Sequence, residues 1–234
     1  MTGARVIAID GPAGAGKSST ARALAEHLGF FYLDTGAMYR ALALAAGRAG
    51  IPLEDEPGVL RKLGELDLRF DSAGRLYLDG EDVTPLIRDG GAASAASRIA
   101  QLPGVRARLV DKQREMAQQH GSVVMEGRDI GTVVCPDTPV KLFLEADLTE
   151  RARRRIRQNS LVPSPEELER VTRAIQARDE ADQTRAEAPL RAAEDAVRID
   201  TTGLSFDAQV ARCLEAIRGR WPGSWGNLPE GAGA

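Results

Sequence analysis

Residues 11–18 carry the strongest chemical signal, because Gly-Pro-Ala-Gly-Ala-Gly-Lys-Ser matches the pattern G-x-x-x-x-G-K-[ST] without a departure. Its glycines let the backbone curl so that N–H groups point at phosphate oxygens, and a following helix adds its positive dipole end. Lys17 would place a charge on the β- and γ-phosphates, and Ser18 would offer its hydroxyl to Mg²⁺. A chance glycine-rich turn is the alternative, and it is disfavoured because a strand pattern precedes the segment and a helical pattern follows it. The sequence therefore predicts a Mg²⁺-bound nucleoside triphosphate, held by Gly11, Pro12, Ala13, Gly14, Ala15, Gly16, Lys17, Ser18 and Ser19.

A second glycine segment, residues 33–40, reads Leu-Asp-Thr-Gly-Ala-Met-Tyr-Arg, ending a strand pattern and opening a helical one. Such a helix start is suited to an anion, and Arg40 lies one turn beyond Gly36. An acceptor phosphate between this segment and residues 11–18 would explain the arrangement. A simple capped turn at Asp34-Thr35-Gly36 remains the alternative.

Arginines form a third signal, at positions 151, 153, 154, 155 and 157, before a break that contains two prolines. Such a run is ordinarily a solvated helix face. Beside a phosphate loop, a mobile arginine-bearing lid over about 151–165 would neutralise charge and exclude water. Arg154 and Arg155 are the arginines predicted to reach the phosphates.

Arg178 and Arg185 lie seven residues apart and so share one face of a predicted helix. Asp182 follows Arg178 by four residues and can orient it. Surface ion pairing is one interpretation, and a basic face that closes over an acceptor nucleotide is the other.

The elements that must position these residues alternate between strand and helix patterns, which predicts an α/β fold with a mostly parallel sheet. Strands are predicted at 5–10, 31–33, 122–126, 140–145 and 196–200, and helices at 17–28, 37–49, 102–119, 148–158, 166–186 and 205–218. Residues 66–70 and 76–78 predict a β-hairpin inside an inserted subdomain of about 52–90. The main domain is expected to span 1–220, followed by a Gly- and Pro-rich flexible tail at 221–234.

Composition excludes several function classes. A net charge of −3 and an aromatic content of 4% disfavour a nucleic-acid-binding role. No apolar run is long enough for a membrane-spanning helix, so no membrane partner is expected. Two cysteines, Cys135 and Cys213, give no disulfide framework and fit a reducing cytoplasm. Without an apolar heptad repeat, the default expectation is a monomer.

Other phosphate-loop proteins fit less well. The chain has no Asn-Lys-x-Asp segment of the kind with which GTPases read guanine. The strand at 122–126 ends in Glu-Gly-Arg-Asp, whereas a mechanical ATPase usually ends such a strand in Asp-Glu. These differences favour a small-molecule kinase.

Residues of about 5–218 resemble the bacterial cytidylate kinases, a family of phosphate-loop nucleoside monophosphate kinases. The resemblance rests on Ile9-Asp-Gly-Pro-Ala-Gly-Ala-Gly-Lys-Ser, Leu33-Asp-Thr-Gly-Ala-Met-Tyr-Arg, Ala95-Ala-Ser97, Gly127-Arg-Asp-Ile-Gly-Thr-Val-Val, Arg178-Asp, Arg185-Ala-Glu-Ala-Pro-Leu and Asp200-Thr-Thr-Gly-Leu-Ser. It implies a five-stranded parallel sheet flanked by helices, an inserted subdomain with a small antiparallel element, and an arginine-rich lid. It also implies transfer of the γ-phosphoryl group of ATP to CMP or dCMP in pyrimidine nucleotide metabolism.

The resemblance also implies a role for individual residues. Cytosine would be read by Ser97, Arg106 and Asp129. The acceptor phosphate would meet Thr35, Arg40, Arg128 and Arg185, and the sugar would meet Arg178 and Asp182. With Arg128 and Arg185, the motif lysine Lys17 and the predicted lid arginines Arg154 and Arg155, which the residue patterns themselves indicate, are expected to neutralise charge in the transition state. Glu126 stands where the family can have aspartate, which leaves its role open.

Three alternatives remain open at this point. The chain could be a kinase that accepts UMP and CMP equally, or one that acts on a non-nucleotide alcohol. From another class, it could be a nucleotide-binding regulatory or assembly protein without turnover. That protein would bind ATP without coupled CMP binding.

Overall fold

The computed structural model describes residues 4–88, 90–185 and 187–227 of an α/β protein. The chain divides into two compact units. The first unit contains Phe31–Val123, and the second contains Arg5–Phe30 together with the chain from Val124 onward.

The strands form two separate sheets. In chain order they are β1 (Arg5–Asp10), β2 (Phe31–Asp34), β3 (Leu68–Phe70), β4 (Leu76–Leu78), β5 (Glu81–Asp82), β6 (Ser122–Glu126), β7 (Val140–Glu145) and β8 (Val197–Asp200). A five-stranded parallel sheet has the order β2-β6-β1-β7-β8, and a three-stranded antiparallel sheet has the order β3-β4-β5. The predicted parallel sheet and small antiparallel element are thus confirmed. The bounds of the inserted subdomain, about 52–90, stay a prediction.

Eight helices are seen in the described residues. They are α1 (Lys17–Leu28), α2 (Thr35–Arg48), α3 (Glu56–Glu65), α4 (Gly90–Ile99), α5 (Pro103–His120), α6 (Leu148–Gln158), α7 (Pro165–Thr184) and α8 (Phe206–Arg220). A π-helical turn at Ile130–Val134 and a short 3₁₀ turn at Gly223–Trp225 complete the set. Helices α3 and α4 were not predicted.

Helix α3 was not predicted because Pro57 and Gly58 are residue types that usually interrupt a helix. In the structure Pro57 lies in the first turn, where a missing N–H costs little, and the Asp55 carboxylate accepts from the Gly58 N–H at 3.1 Å. Helix α4 is mostly alanine, serine and glycine, so its sequence has no strong apolar period. Its Ile99 is nevertheless fully buried.

In the first unit, α2 lies in the centre of the hydrophobic core. Its apolar residues from Ala37 to Ala46 pack with residues of α3, β3, β4, α4 and α5. The helix begins at Thr35, two residues before the predicted start, because the Asp34 carboxylate accepts from the Ala37 N–H at 2.9 Å and caps it.

In the second unit, the central strands β1 and β7 are buried almost throughout, as expected of parallel strands covered on both faces. Their register pairs Ile7 with Val140 and Asp10 with Phe143. Helices α6 and α7 pack through Ala152, Ile156, Val171 and Ile175. Arg151 of α6 and Asp179 of α7 bind Ala13, so this helix pair lies beside the segment that follows β1.

The described part of the C-terminal tail makes aromatic contacts. Trp221 and Trp225 meet edge to face with ring centroids 5.1 Å apart, and Trp221 lies 6.0 Å from Phe30. Arg5 donates to the Trp225 carbonyl at 3.2 Å. The predicted tail continues through 228–234, which lie outside the described residues, so its flexibility stays a prediction.

Two further observations concern the compartment. Over residues 4–88, 90–185 and 187–227, no helix has both the length and the apolar character needed to cross a lipid bilayer. Cys135 and Cys213 carry free thiols, and burial raises the pKa of Cys213 to about 12. A cytoplasmic location and a monomeric state stay predictions.

Replacement of Gly11 by alanine is expected to be much more damaging than the same change at Gly29. Both glycines have positive φ, but a Cβ on Gly11 would lie 2.1 Å from the Leu144 carbonyl oxygen, whereas one on Gly29 meets nothing within 4 Å. We expect Gly11→Ala to lower the free energy of unfolding by about 3 kcal/mol or more. Gly29→Ala should lower it by about 1–2 kcal/mol. Urea unfolding measures both, and equal losses would contradict the steric argument.

Candidate functional site

The phosphate loop, defined here as residues 11–18, has a backbone that only glycine adopts readily. Gly11, Gly14 and Gly16 have φ values of 144°, 79° and 89°. Helix α1 starts directly after Gly16, with no side-chain cap among the described residues and no acidic residue in its first turn. Such a helix start favours an anion, and the binding of phosphate there stays a prediction.

The carbonyl oxygens of this loop are bound by side chains from distant parts of the second unit. Arg151 Nη1 donates to Ala13 at 3.1 Å, Thr201 Oγ1 to Ala15 at 3.2 Å, and Gln209 Nε2 to Gly16 at 3.4 Å. Because the C=O and the N–H of one trans peptide point in opposite directions, the N–H groups of Gly14, Gly16 and Lys17 point away from these donors. None of these donors was predicted to contact the loop.

Lys17 is buried, and its Nζ donates to the Pro12 carbonyl at 2.7 Å. The pKa of Lys17 is lowered to about 7, chiefly by burial and also by the positive charges of Arg128 and Arg178, while Glu126 and Asp10 act in the opposite direction. The phosphate-loop lysine therefore lies in a positive field. A polyphosphate that enters this field would stabilise the ammonium form.

Ser18, in the phosphate loop, and Glu126 place a hydroxyl and a carboxylate oxygen side by side. The Ser18 hydroxyl donates to Glu126 Oε2 at 2.9 Å, and Glu126 is buried at the end of β6. Hydroxyl and carboxylate oxygens are ligands that Mg²⁺ prefers. The structure thus places Glu126, whose role the sequence left open, beside the Ser18 hydroxyl.

Asp10 is a buried carboxylate that connects the start of the phosphate loop to residues 127–131. It ends β1 and accepts from the Ile130 and Gly131 N–H groups, both at 2.8 Å. Burial raises the pKa of Asp10 to about 6, although the two N–H bonds pull it down. The sequence predicted a polar loop at 127–131, and the structure shows that its last two residues open the π-helical turn that Asp10 holds.

Three arginines surround Asp182. The Asp182 carboxylate accepts from Arg128 Nε at 2.9 Å and lies 4.0 Å from Arg185 Nη1, and Arg178 adds its charge. Burial alone would raise the pKa of Asp182, but the three guanidinium groups hold it below its ordinary value. The hydrogen bond to Arg128 was not predicted, because the spacing of four residues suggested Arg178. Three cations against one carboxylate form a site that favours an anion.

The arginines of α6 differ in their contacts. Arg151 is buried and binds the phosphate loop, and Arg154 donates to the Glu150 carboxylate and to both oxygen atoms of Thr201. Arg155 donates to Gln158 at 3.3 Å. The predicted phosphate contacts of Arg154 and Arg155 stay predictions. Arg151 was not singled out, although its position beside the buried stripe of Ala152 and Ile156 is a sequence signal for burial.

In the first unit, Asp34 has two roles at the start of α2. One carboxylate oxygen caps Ala37, and the other accepts from Arg40 Nη2 at 2.8 Å. The capped turn is therefore present, and phosphate binding by Thr35 and Arg40 stays a prediction. Ser97 is half-buried on α4 and Arg106 is buried on α5, and their roles in reading cytosine also stay predictions.

Loss of the Asp10 carboxylate should loosen the Ile130 and Gly131 amides. We expect Asp10→Asn to speed their hydrogen exchange about tenfold, since one of two charge-assisted bonds is lost. Exchange rates measured on the two proteins at one pH check the effect, with the exposed Asp137→Asn as control. Unchanged protection in Asp10→Asn would contradict this role.

Comparison with known proteins identifies the family that this chain resembles. A family model described as cytidylate kinase matches residues 7–219. The cytidylate kinase of Mycobacterium leprae is 46% identical over 220 residues, which cover 94% of this chain and 98% of that protein. The cytidylate kinase of Pelotomaculum thermopropionicum is 50% identical over 215 residues, covering 90% and 95%. The chain therefore belongs to the cytidylate kinase family.

Proposed function

We propose that this chain transfers the γ-phosphoryl group of ATP to CMP or dCMP, giving ADP and CDP or dCDP. One observation carries the proposal: Asp179, the residue next to Arg178 on α7, accepts from the Ala13 N–H at 3.4 Å, so the arginine cluster around Asp182 adjoins the phosphate loop. A kinase needs two neighbouring sites for phosphate groups, one for the donor and one for the acceptor. Membership of the cytidylate kinase family supports the choice of CMP.

In the proposed reaction, an oxygen of the acceptor phosphate forms a bond to the γ-phosphorus as the bond to the β-phosphate oxygen breaks. A phosphate dianion is already a competent nucleophile, so the step needs no strong general base. The contribution of the protein is to align the two phosphates and to neutralise the charge that spreads over the transferred group. Lys17, Arg128 and Arg185 have this role in the proposal. Arg154 would join them only by exchanging its Thr201 contacts for a phosphate.

Mg²⁺ fits the residues that are present. Ser18 and Glu126 supply hard oxygen ligands, and the described residues contain no group of three or more acidic, histidine or cysteine side chains that could hold a metal ion alone. That donor set suits an ion whose remaining ligands come from the nucleotide phosphates and water. Bound there, Mg²⁺ would neutralise charge on the β- and γ-phosphates.

Selection of cytosine is assigned to Asp129, which is buried next to the start of the π-helical turn. A carboxylate accepts from the N4 amino group of cytosine and repels the 4-oxo group of uracil. Asp10 accepts hydrogen bonds from the amides of the two residues that follow Asp129. These bonds limit the movement of the Asp129 carboxylate.

The test of the proposed function is an ADP-release assay with ATP and Mg²⁺ that offers CMP, dCMP, UMP, AMP and GMP separately. We expect a strong preference for CMP and dCMP, and we expect Asp129→Ala to lower kcat/KM for CMP about a hundredfold. Asp137→Ala, an exposed aspartate nearby, is the matched control. Equal activity with UMP would favour the broader UMP/CMP kinase, and inert monophosphates with intact ATP binding would reject the kinase.

Binding of Mg²⁺–ATP should be accompanied by proton uptake. Because the pKa of Lys17 is lowered to about 7, most molecules hold a neutral Lys17 at about pH 8, and a bound triphosphate restores the ammonium. We expect uptake close to one proton at about pH 8 and little at about pH 6. Calorimetry in buffers of different ionisation enthalpy measures it. Lys17→Arg should abolish the uptake, and buffer-independent heats at the higher pH would contradict the lowered pKa.

A further inference from the structure

Arg151 and Asp179 form a buried ion pair that has no part in the proposed chemistry. Their side chains are only 9% and 10% exposed, and Arg151 Nη1 donates directly to Asp179 Oδ2. Arg151 lies in the first turn of α6, and Asp179 lies in α7 next to Arg178. The pair therefore joins α6 to α7.

Both members of this pair bind the same residue of the phosphate loop. Arg151 Nη1 donates to the Ala13 carbonyl at 3.1 Å, and Asp179 Oδ1 accepts from the Ala13 N–H at 3.4 Å. Both the carbonyl oxygen and the N–H group of Ala13 are thus hydrogen-bonded to this pair. The next residue, Gly14, is so close to α6 that a Cβ on it would lie 3.0 Å from Arg151 Cβ.

The other contacts of Arg151 fix its side chain independently of any ligand. Its Nε donates to the Ala146 carbonyl at 3.0 Å, at the entrance to α6. Asp147 then caps α6 by accepting from the Thr149 and Glu150 N–H groups at 2.8 and 3.2 Å. The Arg151 side chain is therefore fixed at the start of α6, with its guanidinium group between Asp179 and the backbone of the phosphate loop.

A purely stabilising role explains this arrangement poorly. A buried ion pair often contributes no more to stability than apolar side chains of similar size, because both charges lose their hydration. Its directed hydrogen bonds, in contrast, fix one orientation of the Ala13 peptide groups. A phosphate loop needs such a fixed orientation, since its N–H groups must converge on the phosphate oxygens before a ligand binds.

We propose that Arg151 and Asp179 are positioning residues that set the conformation of the phosphate loop at Ala13 and thereby its affinity for the phosphates of ATP. The inference rests on the proposed function, because it takes the loop as the ATP site. Neither residue needs to touch the nucleotide. Arg151 is thereby separated in function from the other arginines of α6.

The experiment compares Asp179→Asn and Arg151→Lys in the full chain. The amide introduced by the first change keeps the shape of the carboxylate and an oxygen that can accept from Ala13. The ammonium introduced by the second keeps the charge, but its single nitrogen cannot replace both Nη1, which binds Ala13 and Asp179, and Nε, which binds Ala146. We expect each change to raise the Kd and the KM for ATP about tenfold, while the KM for CMP at saturating ATP changes less than about twofold. The double variant should be little worse than either single variant, because the residues act as one pair.

The matched controls are Glu180→Gln, on the exposed residue next to Asp179, and Arg173→Lys, on an exposed arginine of α7. Both should keep the affinity for ATP. Thermal unfolding is measured on every variant, so that lost stability and lost affinity are separated.

Three results would overturn the inference. The first is a lower melting temperature with an unchanged Kd for ATP, and the second is an additive loss in the double variant. The third is failure of both single variants to fold, which would assign the pair to the stability of the fold. If the unsubstituted protein itself binds no ATP, the proposed function fails, and that outcome is visible before any variant is made.

Discussion

The orientation of the peptide groups in the phosphate loop is the constraint on which the other features depend. N–H groups can converge on an anion only if the carbonyl oxygens of the same segment find donors elsewhere. In this chain those donors come from α6, from the turn after β8 and from α8, in the form of Arg151, Thr201 and Gln209. The loop is therefore shaped by residues more than a hundred positions away in sequence.

The charges around Lys17 are another feature of the phosphate loop. The second unit places Lys17 within the field of Arg128 and Arg178, which Asp10 and Glu126 oppose. Burial is the main cause of the lowered pKa of Lys17, and the neighbouring arginines add to it, so the ammonium form of Lys17 is disfavoured there. Polyphosphate relieves the repulsion. The same electrostatic arrangement thus disfavours the free site and favours the bound one.

Contiguous features were predictable from the sequence, and long-range contacts were not. The phosphate loop, the strands at Ser122–Glu126 and Val140–Glu145, and the helix at Leu148–Gln158 have local patterns that fix their bounds. Helices α3 and α4 were missed because a Pro-Gly pair and a run of small residues hide a helix. The contact of Asp10 with Ile130 and Gly131, and that of Arg151 with Asp179, join positions that no spacing rule connects. The Asp10 contact follows from the parallel sheet, which gathers the ends of β1, β6 and β7 at one edge, and the Arg151 contact follows from the packing of α6 against α7.

A crystal structure with a non-hydrolysable ATP analogue, Mg²⁺ and CMP tests the central claim most directly. If the loop is shaped in advance by its outer donors, the bonds to the Ala13, Ala15 and Gly16 carbonyls will persist in the complex, and the triphosphate will lie on the N–H groups of the loop with Lys17 beside it. A triphosphate bound elsewhere, or a loop whose carbonyls have exchanged these donors on binding, would contradict the account.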